Sequence, residues 1–180
     1  MNLQDALEGS KNSSITPFEP KITLEDYHVP EALKRELDGV ALTIKHIKDF
    51  GEMGDRNILF SGPPGTGKTL GAQYLASTVG GLVYDGKLVN NADAIRMTFS
   101  QLREIASKQE KPIFFVVNEV DKFSSREQVI DPMKQATLNA LLDEMQGFDK
   151  NENIYLIGTT NRPDSLDNAL RRPGRFSKEI

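Results

Sequence analysis

Residues 62–69 read Gly62-Pro63-Pro64-Gly65-Thr66-Gly67-Lys68-Thr69 and match the pattern G-x-x-x-x-G-K-[ST] in full. The glycines let backbone N–H groups converge on one concave side with no Cβ in the way. A helix opening at Lys68 adds the positive end of its dipole. Lys68 can then reach the β- and γ-phosphates of a nucleotide, and the Thr69 hydroxyl can ligate Mg2+. The expected phosphate-binding set is Gly62, Pro63, Pro64, Gly65, Thr66, Gly67, Lys68, Thr69 and Leu70.

The flanks fit that reading. Ile58-Leu59-Phe60 is a short apolar strand running into the loop. Residues 68–79 follow as a helix with Leu70, Tyr74, Leu75 and Val79 on one side. Further along, Leu82-Val83-Tyr84, Ile113-Phe114-Phe115-Val116-Val117 and Ile154-Tyr155-Leu156-Ile157 read as strands. Helices over 93–108 and 133–146 separate them, with Ile95, Phe99, Leu102 and Ala106 inward in one and Leu138, Leu141, Leu142 and Met145 in the other. Upstream, a helix opens at Pro30 with Leu33, Leu37 and Val40 at helical spacing, and a second covers Leu42 to Phe50. Residues 1–20 are polar, carry Pro17 and Pro20, and read as a flexible tail, which leaves 21–180 as the folded domain. Strands buried on both faces, alternating with helices, give an α/β fold: a parallel sheet with helices on both faces. Ligands of such sheets bind beyond the carboxyl ends of the strands.

Composition narrows the chemistry. The chain of 180 residues has no cysteine, so disulfides, thiolate zinc sites and a cysteine nucleophile are excluded. A net charge of −4 argues against nucleic acid as the partner. No apolar run reaches membrane-spanning length, and the N-terminus lacks the pattern of a secretory signal, so a cytoplasmic protein is the expectation. His28 and His46 have no metal-ligand spacing and read as surface residues.

The third apolar strand ends in Val117-Asn118-Glu119-Val120-Asp121. An acidic group near Mg2+ and a carboxylate to polarise an attacking water are what hydrolysis of a nucleotide requires. This stretch resembles the Walker B segment of AAA ATPases, four apolar residues followed by Asp-Glu. By that resemblance Glu119 is the catalytic base, and Asn118 stands where the family has the Asp that faces the metal. The amide keeps an oxygen acceptor and loses the charge. Beside a divalent cation the loss costs up to several kcal/mol at an effective dielectric of about 20. The resemblance therefore implies weakened Mg2+ binding and slowed turnover.

Residues 158–176 carry the most specific likeness: Gly-Thr-Thr-Asn-Arg-Pro-Asp-Ser-Leu-Asp-Asn-Ala-Leu-Arg-Arg-Pro-Gly-Arg-Phe. In the AAA family Asn161 would be the sensor that contacts the γ-phosphate and the attacking water. Arg172 and Arg175 would be arginine fingers acting on a neighbouring subunit's nucleotide. Ser177 stands where the family usually has Asp. Leu141 to Phe148 also matches the family's helix before the fourth strand, so the likeness runs from about residue 25 to the end.

Three features depart from the family. The stretch Gly86 to Asp93 lacks the aromatic residue of the pore loop. The region Asp26-Tyr27-His28-Val29, where the adenine pocket is expected, lacks the family's Ile-Gly-Gly. The chain reaches Ile180 as a fifth strand would begin, so the expected unit is an AAA large subdomain without a complete last strand or helical lid. The resemblance implies ATP and Mg2+ as ligands, self-association into a hexameric ring, and a protein substrate or adaptor. Two functions follow from it: an ATPase core that remodels a protein substrate, or a nucleotide-binding scaffold or regulatory subunit whose hydrolysis is impaired by Asn118. A DNA-acting loader is disfavoured by the acidic balance, and a GTPase by the missing Asn-Lys-x-Asp segment.

Overall fold

A computed structural model of the chain describes residues 16–23, 26–46, 56–86, 91–122, 131–147 and 153–180. Its centre is a six-stranded sheet of β1 (Thr16–Phe18), β2 (Asn57–Ser61), β3 (Leu82–Gly86), β4 (Ile113–Val117), β5 (Ile154–Thr160) and β6 (Lys178–Glu179), in the order β1-β3-β4-β5-β2-β6. All neighbours run parallel except β1, which pairs antiparallel with β3. The helices are α1 (Glu31–Lys45), α2 (Lys68–Val79), α3 (Ala92–Ser107) and α4 (Pro132–Gln146).

Strand alternation sends side chains into two separate cores. Ile113, Phe115 and Val117 of β4 join Ile154 and Leu156 of β5 against Phe99 and Leu102 of α3 and Leu138 and Leu141 of α4. Phe114 and Val116, with Tyr155 and Ile157, face the other way, onto Leu37 and Ala41 of α1 and Ala72 and Leu75 of α2. Both faces of the sheet are therefore dry, which explains why β4 is apolar at every position. Among the described residues no helix is long and apolar enough to cross a membrane.

The structure moves several expected boundaries. Part of the expected flexible tail is a strand, because Thr16, Pro17 and Phe18 pair with Asp85, Tyr84 and Val83, while residues 1–15 lie outside the described residues. Pro17 has no N–H to donate, and an edge strand tolerates that loss. The Glu19–Lys111 ion pair, at 2.9 Å, fastens the chain just beyond β1 to the turn before β4. The helix expected to end near Val40 continues to Lys45, and the rest of the second expected helix, from 47 on, lies outside the described residues. Leu37, Ala41 and Ile44 form one unbroken buried stripe, and this outweighs the roughly 1 kcal/mol that Gly39 costs in the helix interior. β5 extends through Gly158 to Thr160, and β6 lies parallel to β2 with Ile58 opposite Lys178.

β2 lies between β5 and β6, while the chain leaving it through α2 goes to β3, beyond β5 and β4. That reversal of strand order opens a crevice at the carboxyl ends of β2 and β5.

Candidate functional site

The crevice is built on the loop that leaves β2. Gly62, Gly65 and Gly67 have φ of 144°, 79° and 82°, a region that disfavours residues with a Cβ. Gly67 occupies the N-cap of α2 in the left-handed conformation, so the loop curls over the helix N-terminus. Gly62 N–H donates to the Thr160 carbonyl, which ties the start of the loop to the end of β5. Thr66 Oγ1 donates to the Pro63 carbonyl at 2.9 Å. Lys68 Nζ arches back over the loop and donates to the carbonyls of Gly62 and Pro63, each at 2.7 Å. The ammonium and the helix N-terminus thus concentrate positive charge on one concave surface.

Tyr27 underpins this loop. Its ring is buried and lies 5.6 Å from that of Tyr74. A Cβ on Gly71 would stand 2.6 Å from the Tyr27 hydroxyl, so the close approach of α2 depends on a glycine there. Burial pushes the Tyr27 phenol above its ordinary pKa, which keeps it neutral. Tyr27, His28, Val29, Pro30 and Lys34 line an open cavity of about 480 Å³ in the region where the adenine pocket is expected.

Polar groups at the ends of β4 and β5 face the loop. Thr69 Oγ1 donates to Asn118 Oδ1 at 3.3 Å, and Thr159 Oγ1 donates to the same oxygen at 3.2 Å. Glu119 follows with φ 56°, the one positive φ outside glycine among the described residues. A non-glycine residue held there stores backbone strain of about 1–3 kcal/mol, and such strain clusters at functional sites. Two bonds hold it: Glu119 N–H donates to Thr159 Oγ1 at 3.2 Å, and the Glu119 carbonyl accepts from Lys122 N–H at 2.9 Å. The Glu119 carboxylate is also ion-paired with Lys122. The Glu119 backbone is thereby tied to Thr159, whose hydroxyl also meets Asn118, the partner of Thr69.

Asn161 comes directly after β5. Its backbone is set by Thr160, whose hydroxyl donates to Asp121 at 2.7 Å and accepts from Arg162 N–H at 3.0 Å. Asp121 therefore braces the turn that carries Asn161. Thr159 and Thr160 are functional neighbours that sequence reasoning missed. Their signal was two buried hydroxyls closing an otherwise apolar strand.

The two arginines of the carboxyl-terminal stretch have different surroundings. Arg172 is exposed. Arg175 is half-buried, its Nη1 donates to the Ala169 carbonyl at 2.7 Å, and its Nε is buried without a hydrogen-bond partner. The segment that carries them is fixed to the sheet at two points. Asn57 Nδ2, at the start of β2, donates to the Gly174 carbonyl at 3.3 Å. The Phe176 ring lies on Gly158, where an added Cβ would stand 2.6 Å from it. Burying that ring contributes about 1.5–3 kcal/mol and anchors the loop to β5.

The pore-loop stretch falls partly outside the described residues, which resume at Asn91. Asn91 caps α3 by accepting from Asp93 N–H at 2.8 Å, so the connection from Gly86 to the helix is short. Among the described residues no group of three or more His, Cys, Asp or Glu gathers as metal ligands. The oxygens of Thr69, Asn118 and Thr159 are hard donors, and these suit Mg2+, which keeps several of its own waters. The residues present therefore fit that ion.

The model of the ATPase family associated with various cellular activities (AAA) matches residues 58–180. The chain is 35% identical over 179 residues to the ATP-dependent zinc metalloprotease YME1L of Drosophila melanogaster, a match covering 92% of this chain and 24% of that protein. It is 34% identical over 184 residues to the ATP-dependent zinc metalloprotease FtsH 3 of Symbiobacterium thermophilum, covering 95% and 29%. It is 35% identical over 183 residues to human YME1L1, another ATP-dependent zinc metalloprotease, covering 94% and 23%. The chain spans about a quarter of the length of these curated relatives. With the glycine-rich loop after β2, the strained Glu119 after β4 and the braced Asn161 after β5 in one crevice, and a family match over most of its length, the chain belongs to the AAA family of ATPases.

Proposed function

We propose that this chain is the nucleotide-hydrolysing core of a ring-forming ATPase that couples turnover of ATP to remodelling of a protein substrate. The observation that carries the reading is the convergence on one crevice of the Lys68 ammonium, the Thr69–Asn118 oxygens and the strained Glu119. Lys68 and the loop N–H groups bind the β- and γ-phosphates. Thr69 and Asn118 hold Mg2+, which neutralises charge on the phosphate oxygens when bound. Glu119 orients the attacking water and accepts its proton. Asn161 contacts that water and the γ-phosphate. Arg172, exposed on its own subunit, serves the nucleotide of the next one.

Asn118 favours a second reading, a nucleotide-binding scaffold or regulatory subunit with little hydrolysis. Phosphate release per subunit, measured against protein concentration at saturating ATP and Mg2+, separates the two. A shared site predicts specific activity that climbs with concentration as subunits associate. Constant specific activity contradicts the ring, and bound ATP with no phosphate release at any concentration favours the scaffold.

A further inference from the structure

Replacing the family's strand-end Asp by Asn118 removes a negative charge from the metal-facing position, yet a carboxylate stands one amide away. Asp85, at the carboxyl end of β3, accepts a hydrogen bond from Asn118 Nδ2 at 3.1 Å. Asp85 is exposed, while its neighbours Leu82, Val83, Tyr84 and Gly86 are buried. It lies opposite Val116 in the parallel register, two residues before Asn118.

The partners orient the amide. A carboxylate can only accept, so Asn118 must turn its NH2 toward Asp85. Its oxygen then faces the phosphate loop, where the Thr69 and Thr159 hydroxyls donate to it. The chain of bonds runs Asp85 carboxylate, Asn118 amide, Thr69 hydroxyl. A charged acceptor on the NH2 side polarises the amide and makes its oxygen a stronger donor to a cation. An aspartate at 118 would set two carboxylates within contact distance, a repulsive arrangement. Asn118 and Asp85 are complementary: the charge has moved one strand across the sheet.

We propose that Asp85 is a positioning residue of the Mg2+ site, supplying through the Asn118 amide the negative charge that the end of β4 lacks. The inference rests on the nucleotide-binding reading above. Partners of metal ligands in other proteins change metal affinity by 10–100-fold when removed. Exposure to water and salt places Asp85 at the low end of that range.

The test is binding of a fluorescent ATP analogue to the chain, once in excess EDTA and once in Mg2+. The ratio of the two affinities reports the metal alone. Asp85→Asn should reduce that ratio by roughly tenfold. Asp85→Glu should keep part of it. The double variant Asp85→Asn with Asn118→Asp returns the charge to β4 and should recover the ratio. Thermal melting checks that each variant is folded. An unchanged ratio in folded Asp85→Asn would overturn the proposal, as would a double variant no better than Asp85→Asn. No binding by the unaltered chain in either condition would overturn the nucleotide reading itself, and the proposal with it.

Discussion

Arg172→Ala is expected to slow phosphate release by roughly 10³–10⁵-fold, the range for removal of an arginine finger, while each subunit still binds ATP. Arg172 is exposed and follows the short helical turn Asn168–Arg171, so its guanidinium is available to another molecule. Arg175 is committed to the Ala169 carbonyl of its own loop. Removing Arg172 therefore deletes a contact made across subunits, whereas removing Arg175 also unpins the loop. Mixing provides the check. Arg172→Ala subunits keep an intact Glu119 but present no finger, and Glu119→Gln subunits do the opposite. Mixed rings should regain a fraction of the activity that neither variant has alone. Subunits that assemble and recover no activity at any ratio would count against a shared site.

Glu119→Gln should lower turnover by roughly 10²–10⁴-fold, the usual contribution of a positioned general base, with ATP affinity retained. Glutamine keeps the length and the backbone bonds to Thr159 and Lys122, so the turn at φ 56° survives. What it loses is the ability to take a proton from water. Single-turnover kinetics would show bound ATP persisting with little ADP formed. A Glu119→Gln variant that hydrolyses at the unaltered rate would assign the base elsewhere.

Much of this site is legible in the sequence because it is local. Residues 62–69 encode their own loop, and five apolar residues in a row at 113–117 encode a strand buried on both sides. What escapes the sequence depends on contacts between distant segments. Thr16–Phe18 reads as a broken tail because Pro17 interrupts it, and only the open edge of β3 makes it a strand. Tyr27 looks like part of an adenine pocket, and the fold also sets it beneath the phosphate loop, against Gly71. Asp85 carries no local signal at all. Its partner is 33 residues away, and the two meet because β3 and β4 are neighbours. Arg172 and Arg175 look equivalent in the motif and differ because the turn brings the Ala169 carbonyl, six residues back, onto one of them.

The claim beneath all of these is that the loop around Lys68 binds the phosphates of ATP. Calorimetric titration of ATP into the chain and into Lys68→Ala tests it most directly. Losing two charge-assisted hydrogen bonds should weaken binding by about 3 kcal/mol, more than a hundredfold. Equal affinity for ATP in folded Lys68→Ala would contradict the account.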